Sequence, residues 1–163
     1  MLFRAILWLI TAEWLQTFRF DSTFTRLIAH DTVKPVYHFI SHSHWDREWY
    51  KTFETFRLDL VDMINSLLDI FAKQPEYAHF TLDGQTIVLE DYVEIMPARA
   101  QELRRLIRAG KISIGPWYVL PDEFLVSGES TLRNLLMGKK VGDEYGPVMP
   151  VGYIPDSFSH IAM

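Results

Sequence analysis

The chain has 163 residues, 48% hydrophobic and 14% aromatic, with 16 Lys and Arg against 21 Asp and Glu. That apolar content excludes a disordered chain, and the net charge of -5 argues against nucleic acid as a partner. The absence of cysteine excludes disulfides and thiolate metal sites, and the length allows one packed domain.

The chain opens with a short apolar run after Arg4, interrupted at Glu13. It falls short of the roughly 20 residues that span a bilayer. No small-residue cleavage site follows, so neither a membrane anchor nor a secretory signal is expected. Residues 1–32 carry aromatics without a clear period and read as an N-terminal extension, with the ordered domain running from 33 to 163.

Val36 to Ser41, aromatic and β-branched, reads as a buried first strand. A polar segment, His42 to Tyr50, follows it. Phe53, Phe56, Leu60, Ile64, Leu67, Leu68 and Phe71 recur at helical spacing and predict an amphipathic helix that Pro75 ends. A second strand, about His79 to Leu82, closes on the turn Asp83-Gly84. Two helical stretches divided by Pro97 come next; the second carries Arg104, Arg105 and Arg108 toward its end and Gly110 as its cap. Lys111 to Ile114 predicts a third strand and residues 130–145 another helix. Val148 to Tyr153 predicts a fourth strand, weakened by Pro150, which has no N–H to give a ladder. The alternation is that of a parallel α/β domain, in which chemistry gathers beyond the carboxyl ends of the strands. Those ends carry His42, His44 and Asp46, then Asp83, then Asp122 and Glu123, then Asp156 and His160.

The densest cluster is His42-Ser-His44-Trp45-Asp46-Arg47-Glu48-Trp49. In an extended loop, residues two apart project to the same side. His44 and Asp46 can therefore offer an imidazole nitrogen and a carboxylate to one first-row ion such as zinc; His42 and His44 form the rival chelate. Two ligands make a poor site, so more must come from elsewhere, Asp156 and His160 being natural donors. Trp45 and Trp49 bracket Asp46 and suit stacking on a sugar face. Asp156 is equally placed to cap a helix or to act as a nucleophile, one of the two carboxyl groups that glycoside hydrolysis with retention requires. Asp122 and Glu123 read as substrate-binding groups or as a solvated turn.

His44-Trp45-Asp46-Arg47-Glu48-Trp49 resembles the H-x-D-x-x-W signature of the zinc-dependent α-mannosidases, glycoside hydrolase family 38, in the form of its bacterial, mannosylglycerate hydrolase-like branch. The resemblance continues through Leu82-Asp-Gly-Gln-Thr86, Gly115-Pro-Trp-Tyr-Val-Leu-Pro-Asp-Glu123 and Ile154-Pro-Asp-Ser-Phe-Ser-His160, and covers roughly residues 34–163. It implies a retaining, exo-acting α-mannosidase on a (β/α)7-type barrel. It further implies His44, Asp46 and Asp156 as zinc ligands, Asp156 as nucleophile and Trp49 as the floor for the sugar ring; Trp45 and Asp122 remain substrate-binding candidates on the residues themselves. His42 becomes a supporting residue.

The family's remaining zinc-ligand histidine and its general acid lie well beyond the nucleophile motif, whereas this chain stops seven residues after Asp156. The resemblance therefore implies the N-terminal piece of a longer enzyme, inactive alone. Its expected partners are a mannoside, with mannosylglycerate or its phosphorylated form as candidates, and further copies of the parent chain; neither nucleic acid nor membrane is expected. Lack of cysteine and acidic balance fit a soluble cytoplasmic enzyme. Two rival readings are a metal-dependent amidohydrolase using His42 and His44, and a non-catalytic sugar-binding remnant.

Overall fold

The computed structural model describes residues 36–156. The described residues from 39 onward belong to one compact unit. The expected N-terminal extension and His160 lie outside the described residues.

Helix α1, Phe53–Lys73, turns Phe56, Leu60, Val61, Ile64, Leu67 and Leu68 inward, the stripe that the spacing predicts. Strand β1, Phe80–Thr81, leads through a tight turn into α2, Ile87–Ile95. Pro97 opens a 3-10 turn, Pro97–Arg99, that runs into α3, Ala100–Arg108. At the end of α3, Gly110 N–H donates to Ile107 O and Lys111 N–H to Leu106 O, both at 3.0 Å, the paired bonds that close a helix through a glycine. Strand β2, Ile112–Ser113, precedes α4, Gly128–Tyr145, whose first turn is capped by Ser127 Oγ accepting from Ser130 N–H.

Strands β1 and β2 pair in parallel, Phe80 with Ile112 and Thr81 with Ser113. The fold is thus mixed α/β around a small parallel sheet of two strands. One core runs through it. Leu60, Ile64 and Leu68 of α1 meet Leu82 and Val88, Leu89 and Tyr92 of α2; Leu103 and Ile107 of α3 meet Ile112 and Ile114. Among the described residues no helix is long and apolar enough to cross a membrane.

Two expected strands do not form. Val36 to Ser41 is irregular, and Val36, Tyr37, Phe39 and Ile40 are exposed; a parallel strand depends on cover over both faces, and these side chains have none. Only its end meets the sheet, where Thr81 N–H donates to Ser41 O at 2.8 Å and Ser43 N–H to Thr81 O at 3.3 Å. Val148 to Tyr153 is likewise irregular, held to the end of β2 by Met149 N–H donating to Ile114 O at 3.0 Å. Each segment thus touches the sheet at one point, through two bonds on the β1 side and one on the β2 side.

Helix α4 approaches the 116–118 segment so closely that only glycine fits at one point. A Cβ on Gly138 would stand 2.2 Å from Pro116 O and 2.4 Å from Trp117 C.

Candidate functional site

Beyond the carboxyl end of β1 the chain turns through Asp83 and Gly84, both at positive φ, 51° and 69°. Gly84 lies against Tyr153, whose ring carbon would be 2.7 Å from an added Cβ. This turn therefore sits between two segments, the 42–50 loop and the stretch leading to Asp156. Trp117 Nε1 donates to Tyr153 O at 3.1 Å, and Tyr153 OH meets His42 Nδ1 at 2.5 Å. Burial, followed by the nearby Asp83 charge, pushes the Tyr153 phenol up to about 12.

Those supports bring Asp156 to the His44 and Asp46 pair, far from it in sequence. His44 Nε2 lies 3.5 Å from Asp46 Oδ1 and 3.9 Å from Asp156 Oδ2. All three stay open to solvent, with side chains 34%, 40% and 62% exposed, so a ligand can reach them. Two donors on one tetrahedral zinc, each about 2.0–2.2 Å from it, stand about 3.4 Å apart. The His44–Asp46 spacing meets that value and His44–Asp156 is somewhat wider. Among the described residues no group of three His, Asp or Glu side chains closes round one point as a finished metal site. In donor chemistry, one imidazole and two carboxylates fit zinc as part of a site, with further ligation still needed.

The other expected residues divide. Trp49 is exposed and stands in a T-shaped contact with Tyr50, with ring centroids 5.1 Å apart. Trp45 is half-buried against the core and stands edge-to-face on Phe56 at 5.7 Å, which gives it a packing role of its own. Asp122 Oδ1 accepts from Phe124 N–H at 3.1 Å, and its carbonyl accepts from Leu125 and Val126 N–H, so it shapes a turn. It also lines an open groove with Tyr118, Ser130, Arg133 and Asn134. His42 pairs with Tyr153 rather than converging on His44.

Several residues that hold the site escaped the sequence reading. Gln85 is 1% exposed and donates from Nε2 to Trp45 O at 2.8 Å and to Asp83 Oδ2, while its Oε1 accepts from Leu120 N–H at 3.3 Å. Asp83 is wholly buried, its Oδ1 without a hydrogen-bond partner. Desolvation pushes its carboxyl up to about 8, against the Gln85 and Trp45 N–H contacts that favour ionisation, with Asp46 nearby adding to the rise. Asn134 of α4 takes Tyr118 and Val119 N–H on Oδ1, at 2.8 and 3.1 Å, and donates to Val119 O at 2.6 Å. The motif Leu82-Asp-Gly-Gln-Thr86 was visible, but nothing in it said that a glutamine would reach across to another loop.

Residues 34–163 match the family description "Glycosyl hydrolases family 38 N-terminal domain". A Halalkalibacterium halodurans protein named "Putative mannosylglycerate hydrolase" is 48% identical over 127 residues, 77% of this chain and 14% of its own length. "Alpha-mannosidase 2" of Spodoptera frugiperda is 29% identical over 160 residues, 91% of this chain and 14% of its own. The crystal structure of an alpha-mannosidase from Enterococcus faecalis V583 superposes with a TM-score of 0.71 at 43% identity, covering 73% of this chain and 14% of the other. The chain thus spans about a seventh of the length of these relatives.

Proposed function

The chain belongs to glycosyl hydrolases family 38 through its N-terminal domain, and from that premise we propose that it carries the nucleophile and part of the ion site of a zinc-dependent, retaining α-mannosidase. The observation that carries the reading is the convergence of Asp46 and Asp156 on His44 Nε2, at 3.5 and 3.9 Å. In this reading residues 33–163 are part of a (β/α)7-type catalytic barrel. The general acid and a fourth zinc ligand come from the larger protein, as the length of the relatives supports. The name of the 48% identical relative supports mannosylglycerate or its phosphorylated form as substrate. The absence of cysteine supports a reducing compartment such as the cytoplasm.

His44, Asp46 and Asp156 would hold the zinc ion, which supplies a template and Lewis acidity toward the sugar hydroxyls. Trp49, exposed and three residues along the chain from Asp46, offers a flat apolar face to the mannose ring. Asp156 attacks the anomeric carbon as the bond to the leaving oxygen breaks, and the general acid gives that oxygen its proton. Water then displaces Asp156 from the same carbon, with the former acid accepting the water proton, and mannose leaves with its configuration retained.

The reading predicts that the complete gene product containing these residues hydrolyses an aryl α-mannoside, loses turnover to a chelator and regains it with zinc. Chelator-insensitive hydrolysis, or none, contradicts it. The 163-residue polypeptide alone is expected to turn over negligibly, because loss of a general acid costs about 10²–10⁴-fold.

A further inference from the structure

The residue between the two expected ligands of the 42–50 loop is itself held from below by a buried side chain of the 83–85 turn. Trp45 O accepts from Gln85 Nε2 at 2.8 Å. That carbonyl belongs to the peptide unit joining Trp45 to Asp46. Fixing its plane sets the direction in which the Asp46 side chain leaves the backbone, on the same side as His44 two residues earlier. Gln85 is in turn held by Asp83 Oδ2 and by Leu120 N–H. Neither Asp83 nor Gln85 reaches solvent, so neither can touch a substrate.

We infer that Gln85, itself held by Asp83, is a positioning residue that grips the peptide unit between Trp45 and Asp46 and so aims Asp46 at the ligand it shares with His44. A neutral amide suits the task, since it alone offers a donor to Trp45 O and an acceptor to Leu120 N–H without placing a charge in the core. The packing of Trp45 on Phe56 holds the side chain of the same residue, leaving the backbone grip to set the pitch of the loop. Groups that orient ligands from behind typically change metal affinity about 10–100-fold when removed. The inference rests on His44 and Asp46 being ion ligands.

The test is zinc affinity, measured by chelator competition on the complete gene product, alongside the melting temperature of each variant. Gln85→Met keeps the length of the side chain but loses both the donor to Trp45 O and the acceptor for Leu120 N–H, and Gln85→Leu loses both with a shorter chain. Each is expected to weaken zinc about 10–100-fold. Leu68→Ala, a core truncation on α1, serves as the control and is expected to keep zinc affinity despite its lower melting temperature. Wild-type affinity in both Gln85 variants overturns the inference, as does an equal loss in Leu68→Ala. Retention of zinc by His44→Ala and Asp46→Ala removes the premise, and the inference with it, and is seen in different variants from those that test the grip.

Discussion

Arg47 holds Asp91 through two parallel bonds, Nε to Oδ2 at 2.8 Å and Nη2 to Oδ1 at 3.0 Å. The Asp91 side chain is only 6% exposed, whereas Arg47 is 40% exposed and lies over the Phe53 ring at 4.3 Å. The pair ties the middle of the 42–50 loop to α2, on the side of Asp46 away from His44 in sequence. Arg47→Lys keeps the charge but cannot make the forked pair. It is expected to lower stability by about 1–2 kcal/mol in urea denaturation, and Asp91→Ala, which leaves Arg47 its solvent contact, by a similar amount. Unchanged midpoints in both would remove this tie from the account.

Asp83 makes stability depend on pH in an uncommon direction. Its folded carboxyl is pushed up from 3.8 to about 8, so between those values the folded chain holds a proton that the unfolded chain releases. The contribution is fully present below about 4, declines as pH rises, and is gone above about 8. Asp83→Asn removes that slope. The variant's melting temperature minus the wild type's is expected to rise from pH 5 to pH 9 in calorimetry; parallel curves would contradict the assignment.

Gly138 and Gly128 lie on the same helix and predict opposite outcomes. A Cβ at Gly138 meets backbone at 2.2–2.5 Å, while one at Gly128 meets nothing within 4 Å. Gly138→Ala is expected to cost at least about 1–3 kcal/mol through forced separation of α4 from the 116–118 segment. Gly128→Ala is expected to be neutral or to stabilise by up to about 1 kcal/mol. Chemical denaturation of the two variants side by side decides it, and similar midpoints would count against the close approach.

The two tryptophans of the loop separate binding from packing. Trp49→Ala removes an exposed ring and is expected to raise KM for a mannoside several-fold while barely moving the melting temperature. Trp45→Ala removes a ring packed on Phe56 and is expected to lower stability by on the order of 2 kcal/mol. The reverse pattern would assign the sugar contact to Trp45.

Periodicity made the helices legible: α1 and α4 lie within a few residues of their expected bounds, and Pro97 and Gly110 mark the ends they predict. Strands were harder to read, because β-branched and aromatic content indicates what a strand needs, not whether cover is present; Val36 to Ile40 has the composition and lacks the cover. His44, Asp46 and Asp156 were legible as chemistry at strand ends, and their convergence is a property of the fold. Gln85 and Asn134 were not legible, since an amide's role depends on which backbone it reaches and no local spacing encodes that.

The most direct test of the nucleophile is covalent capture in the complete gene product. A mannosyl fluoride carrying a second, ring fluorine reacts through its good leaving group but slows breakdown of the resulting ester. Peptide mass mapping is expected to place the mannosyl adduct on Asp156. An adduct on another residue, or hydrolysis of α-mannosides that inverts the anomeric centre without any adduct, would contradict the account.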